Sequence, residues 1–235
     1  MATAKTERKR LITPIGRFTY PNLFKPRVNP KNPAGKPKYS CGLLVRVADT
    51  PESKAAGEKS VGESAEWKAI QDEVKRIFAE ALGPTWAERI KDKKSDGSPM
   101  FRIPFRRGDA AEFKTPDGKG YKDGYGPGII VISANSDYAP GVIDRDKSII
   151  VNPNDVQGGY YGRLQIHAYF YNNSGNQGVT FGLDNVQKDR DGVPFGNRAN
   201  AADAFDAIEP PTGPVPAGAA QGAASTGDPF GGAMG

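Results

Sequence analysis

The sequence holds one cysteine, Cys41, and one histidine, His167, so it can form neither an internal disulfide nor a Cys/His zinc site. Cys41 stands in an alternating apolar run, where a buried thiol is expected. No stretch approaches the roughly 20 apolar residues that a membrane-spanning helix requires. Met1 to Arg10 is polar and basic and lacks the apolar core of a secretion signal, so the expected location is cytoplasmic. Phosphate-cradle motifs are missing as well. Gly118-Lys119-Gly120 through Gly124 gives G-x-G-x-x-x-G with no helix to follow, and G-x-x-x-x-G-K-[ST] occurs nowhere. Acids are absent from Arg8 to Ala48, a stretch with ten Lys and Arg, and bases are absent after Arg198. A cationic body followed by a weakly acidic tail suits a partner that is a polyanion.

With 29 Gly, 20 Pro and 37% hydrophobic residues, the composition points to short strands joined by many turns. Met1 to Lys9 reads as a basic, flexible arm. Leu11 to Phe24 reads as a strand broken at Pro14 and Pro21, Lys25 to Lys38 as a loop, and Tyr39 to Val47 as a half-buried strand of period 2. One helix is convincing: Trp67, Ile70, Val74, Ile77, Phe78, Ala81 and Leu82 share a face that ends at Gly83-Pro84, and a helical turn follows at Trp86 to Ile90. Further strands are expected at Met100 to Arg106, with Phe101, Ile103 and Phe105 on one side, at Ile129 to Ala134 and at Ser148 to Val151. Gly108 to Gly128 reads as an open loop of Gly, Lys and Tyr. Tyr160 to Tyr171 and Val179 to Gln187 form a hairpin across Asn172 to Gly178. A short helix is expected around Asn200 to Ala207, and from Asp206 the Gly, Pro and Ala content implies disorder.

Tyr160 to Tyr171 is the most informative stretch. Leu164, Ile166, Ala168 and Phe170 are apolar, and between them stand Tyr161, Arg163, Gln165, His167, Tyr169 and Tyr171. One face is core. The other offers aromatic rings to unpaired bases, each stacking contact contributing about 1 to 3 kcal/mol, unless a helix or loop covers it. Phosphate contacts are expected from Arg17, Lys25, Arg27, Lys38, Arg106, Arg107, Lys119 and Lys122, with Arg163 on the platform itself. Stacking is expected from Tyr20, Tyr39, Tyr121, Tyr125, Tyr161, Tyr169 and Tyr171.

Enzyme signatures are poor, and no catalytic residue, metal or cofactor is expected. Asp189-Arg190-Asp191-Gly192 opens like an EF-hand loop but lacks its closing Glu, and Asp144-Arg145-Asp146 is a second acid pair. Both read as turns. A metal-dependent nuclease built on these acids is one rival function, and a virion or scaffold protein that ignores nucleic acid is another.

Three stretches carry a resemblance: Gly16-Arg17-Phe18-Thr19-Tyr20-Pro21-Asn22-Leu23-Phe24; Lys38-Tyr39-Ser40; and Gly182-Leu183-Asp184-Asn185-Val186-Gln187-Lys188-Asp189-Arg190-Asp191-Gly192 followed by Phe195-Gly196-Asn197-Arg198. They resemble the phage-encoded single-stranded DNA-binding proteins that have an OB fold. The resemblance implies a mainly β, OB-fold-like five-stranded barrel with an inserted amphipathic helix over residues 10–205, followed by a disordered tail over 206–235. It also implies binding of single-stranded DNA without strong sequence preference during phage replication, recombination or repair. Proteins of this broad type often end in a strongly acidic tail that contacts replication partners. Here the tail is weakly acidic, with Asp228-Pro229-Phe230 short of its end, so docking of replication proteins there is left open, as is the oligomeric state.

Overall fold

The computed structural model describes residues 8–30, 32–55, 59–173 and 175–196. The chain divides after Gly196, and the second unit, 197–235, lies outside the described residues together with the helix expected near Asn200 and the expected tail. Most of the expected arm, residues 1–7, lies outside them too. Among the described residues no helix is long and apolar enough to cross a membrane.

The elements run β1 (Arg10–Ile12), β2 (Gly16–Arg27), β3 (Lys38–Arg46), α1 (Pro51–Ala55), α2 (Ala65–Leu82), α3 (Trp86–Arg89), β4 (Phe101–Arg102), β5 (Phe105–Arg107), β6 (Ile129–Ser136), β7 (Gly141–Ile143), β8 (Tyr161–Asn173) and β9 (Asn176–Arg190). Five strands close a ring: β2 pairs with β3, β3 with β6, β6 with β9 in parallel, β9 with β8, and β8 back with β2. That is the connectivity of an OB-type barrel, and closure removes the long unpaired edges that an open sheet would expose. β1, β4, β5 and β7 extend the ring at its margins.

Alternation builds the interior. Cys41, Leu43 and Val45 of β3 stand opposite Ala134, Ile132 and Ile130 of β6, and of these six only Ile130 is not fully buried. Burial pushes the Cys41 thiol pKa up, which keeps it protonated. α2 closes one end of this core. Its first turn is capped by Ser64, whose hydroxyl accepts from the Trp67 N–H at 3.2 Å, and it stops at Gly83, where φ is 81°. The expected stripe is buried except for Ala81, and Phe78 meets Phe170 of β8 edge-on at 6.4 Å. Glu73 is buried on that stripe too, and Arg76 holds its carboxyl below the usual range. Lys9 approaches the same carboxylate at 3.5 Å, which ties the end of the basic arm to the helix.

Several expectations are corrected. β2 runs on through Lys25 and Arg27, because Pro21 and Pro26 fall in its register shifts, where the ladder asks for no N–H. The strand expected at Met100 to Arg106 splits at Pro104 into β4 and β5, so Ile103 is 46% exposed while Phe101 is buried. Ser148 to Val151 makes one isolated bridge, Ile149 to Ile143, and no strand. β8 and β9 extend beyond the expected hairpin ends, so Asn173 already pairs with Asn176.

Candidate nucleic-acid interface

β8 separates core from surface as its alternation predicts. Leu164 and Ile166 are fully buried, and the side chains between them face outward. Tyr169 is the most open ring of this row, at 38% exposure. It stacks on His167 at 5.9 Å, and His167 Nδ1 lies 3.0 Å from the Asp184 carboxylate, which Arg10 approaches at 3.8 Å. Gly182 pairs with His167 so closely that a Cβ there would sit 2.2 Å from the imidazole. Tyr171 is half-buried, and that burial pushes its hydroxyl pKa up.

At the Tyr161 end the sheet forms a cleft of about 430 Å³ whose lining, among the described residues, includes Arg17, Arg46, Lys59, Tyr161 and Arg190 and no acid. The register explains the clustering. Arg17 of β2 and Arg190 of β9 flank Tyr161 of β8 from its two neighbouring strands, and β3 carries Arg46 beyond Arg17. Arg17 lies 5.5 Å and Arg190 4.0 Å from the Tyr161 ring centre. Tyr161 therefore holds two guanidinium groups in place by cation–π attraction, and its faces are occupied. Arg17 is fixed further by donating from Nε to the Gly159 carbonyl at 3.0 Å and from Nη2 to that of Val193 at 2.8 Å.

The outer face of β3 and β6 is different. In OB barrels the second and third strands often carry the oligonucleotide face, and here those strands are β3 and β6. Their outward Leu44, Ile129 and Val131 are buried, because the 108–128 segment folds back over them with Phe113 as its plug. Tyr125 stacks on Phe113 at 4.4 Å and its hydroxyl meets Thr19 Oγ1 at 2.9 Å; burial pushes that hydroxyl's pKa up. Arg106 reaches Glu112 at 3.3 Å and donates to Ser133 Oγ at 3.0 Å, Arg107 pairs with Asp109 at 2.6 Å, and Lys122 donates to the Glu112 carbonyl at 3.0 Å. Lys119 is exposed at a turn, and Tyr121 is half-buried opposite Lys114. Phe195 seats against Gly124 and Leu44, and Arg17 lies 4.5 Å over its ring.

The structure thus brings Arg17, Tyr161, Arg163, Tyr169 and Tyr171 onto one surface and sets the other expected residues elsewhere. Lys25 and Arg27 are exposed toward the end of β2, and Lys38 pairs with Asp137 at 3.3 Å. Tyr39 shares the inward side of β3 with Cys41, a parity that already argued against an open ring. Tyr20 stands 72% exposed at a register shift of β2 with φ 46°, a left-handed backbone that is costly for a bulky residue. Sequence reasoning missed Arg46, Lys59 and Arg190. Arg46 carried a signal, as the polar end of an outward row, and Arg190 was hidden because Asp-Arg-Asp-Gly reads as a turn while β9 runs on into it as far as Arg190. The acids of that segment are paired: Asp189 with Arg190 at 2.5 Å and Arg145 at 3.9 Å, and Asp191 with Lys188 at 2.6 Å. Among the described residues no group of three or more His, Cys, Asp or Glu could hold a metal ion.

The sequence model of the Enterobacter phage Enc34 single-stranded DNA-binding protein family matches residues 9–213. The solved single-stranded DNA-binding protein from bacteriophage Enc34 in complex with single-stranded DNA is similar in fold. Its TM-score is 0.52 at 21% identity, over 80% of this chain and 89% of that one. A C-terminal truncation of the Enc34 protein gives a TM-score of 0.52 at 21% identity, over 79% of this chain and 88% of that one. No curated protein sequence matches the chain.

Proposed function

The chain belongs to the single-stranded DNA-binding protein family of Enterobacter phage Enc34, and on that premise we propose that it binds single-stranded DNA along the outer face of β8. It covers and protects single strands during phage DNA replication, recombination or repair in the cytoplasm of the infected cell, and it performs no bond chemistry on them. One observation carries the siting: the cleft in which Arg17, Arg46, Lys59 and Arg190 converge beside the Tyr161 to Tyr171 row, with no acid among its described lining residues. Cations held there neutralise phosphates and release their counterions, and Tyr169 supplies a ring for an unpaired base.

Titration of a fluorescent oligonucleotide with the full chain tests this. The logarithm of affinity should fall with the logarithm of salt at a slope of about −2 to −4, as expected for three to five contacts at roughly −0.7 each. Duplex of the same length should bind far more weakly, because its bases are stacked on one another. A flat salt response, or equal affinity for duplex, overturns the reading. Cleavage of the strand on adding Mg²⁺ would replace it with a nuclease.

A further inference from the structure

Two residues along β8 from Tyr161 of the basic cleft lies a groove of about 290 Å³, walled by Ile12 of β1 on one side and Ile143 of β7 on the other. Two cross-strand pairs of β8 and β9 make its floor: Arg163 opposite Gln187, and Gln165 opposite Asn185. With strands about 4.8 Å apart, walls on β1 and β7 stand roughly 14 Å from each other, a width that admits a flat ring between two aliphatic side chains.

The hydrogen bonds of the floor are one-sided. Gln165 Oε1 accepts from Asn185 Nδ2 at 2.7 Å, and Asn185 Oδ1 accepts from the Gly141 N–H at 3.2 Å. Gln187 Oε1 accepts from Arg163 Nε at 2.9 Å and Nη2 at 2.8 Å, while Gln187 Nε2 donates to the carbonyls of Asp144 and Arg145. Each side-chain oxygen of the floor thus already accepts a hydrogen bond, Gln187 Oε1 two and the others one. What remains without a protein partner among the described residues is a set of N–H donors, chiefly Gln165 Nε2 and Arg163 Nη1.

We infer that this groove reads one base of the bound strand and favours keto bases, thymine and guanine, over the amino bases cytosine and adenine. The inference rests on the proposed binding of single-stranded DNA and adds a selectivity to it. The proposed pose turns the edge at pyrimidine position 4 or purine position 6 to the floor: there thymine O4 and guanine O6 present acceptors to its donors, whereas the exocyclic amines that cytosine and adenine carry at the same positions would face donors with donors. A phosphate would satisfy the same donors. The aliphatic walls favour a base, and a phosphate seated there would be indifferent to base identity.

The test compares oligo-dT with oligo-dC of equal length, two pyrimidine strands with the same backbone, on the full chain and on the variants Gln165→Glu and Gln165→Leu. Wild type should prefer dT by roughly five- to tenfold, the scale of one or two base-edge hydrogen bonds. Gln165→Glu, which replaces a donor with an acceptor, should bring that ratio to one or below, and Gln165→Leu should erase it. Gln165 faces outward, so both variants should melt as wild type does, and either suffices if the other fails to fold. Equal affinity of wild type for dT and dC overturns the inference, and so does a preference that both variants keep. Those outcomes leave DNA binding intact. Loss of binding to both strands by wild type instead overturns the proposed function and takes this inference with it.

Discussion

The barrel has two outer faces with similar inventories of Arg, Lys and Tyr and opposite fates. Over β3 and β6 the 108–128 segment is folded down, and its polar groups find partners inside the protein: Tyr125 with Thr19, Arg106 with Glu112 and Ser133, Lys122 with a carbonyl, Arg107 with Asp109. Over β8 and β9 no such segment lies among the described residues, and cations gather in a cleft whose described lining holds no acid. The difference teaches that a basic, aromatic stretch counts as a candidate surface only where no segment is folded down over it: Arg17 and Arg190 have partners too, yet those partners leave their cleft open, whereas Tyr125 and Arg106 lie under or within a cover.

Breaking the sealed face should have the largest effect. Phe113→Ala empties the plug over Leu44 and Val131 and should cost about 3 to 4 kcal/mol of folding free energy, read from the urea midpoint. DNA affinity of the molecules that remain folded should change little. Unchanged stability with collapsed affinity would mean that the face called sealed is the one that binds.

On the open face Tyr169→Ala should weaken oligonucleotide binding by roughly 1 to 3 kcal/mol while stability stays within about 0.5 kcal/mol. An unfolded variant would show that the ring is part of the core. Arg190→Ala sharpens the contrast between faces. It should weaken binding about tenfold at low salt and flatten the salt slope by roughly 0.7, whereas Arg107→Ala, on the sealed side, should leave both within error. Equal responses from the two arginines would erase the distinction.

The smallest effect is expected at Tyr20. Gly tolerates its φ of 46°, so Tyr20→Gly should leave stability unchanged or raise it by less than about 1 kcal/mol, the relief of strain being offset by the entropy glycine loses on folding. A clear fall in melting temperature would mean that the exposed ring packs against something.

Much of this was legible in the sequence. The two faces of β8 could be read because a period of 2 with Leu164 and Ile166 on one side admits a single register. α2 could be read from a stripe bracketed by Ser64 and Gly83. The folding back of 108–128 could not, since Phe113 is the one large residue without a polar group in a segment of Gly, Ala, Lys, Asp and Tyr. The clue lay elsewhere, in Leu44 and in the nearly unbroken run of Ile129 to Ala134, whose apolar residues on both sides of the strand require cover on both faces. The basic cleft was hidden for a different reason. Arg17, Arg46, Lys59 and Arg190 are scattered along the chain and meet through closure of the ring, which no local pattern records.

The contact between Gly182 and His167 also bears on how the protein can vary. With a Cβ at 182 only 2.2 Å from the imidazole, these positions cannot drift independently: any side chain at 182 requires that the one at 167 swing away from its Asp184 contact or shrink. Gly182→Ala alone should be damaging and should be rescued in part by His167→Ala, so a mutational survey of either site by itself would report an intolerance that belongs to the pair.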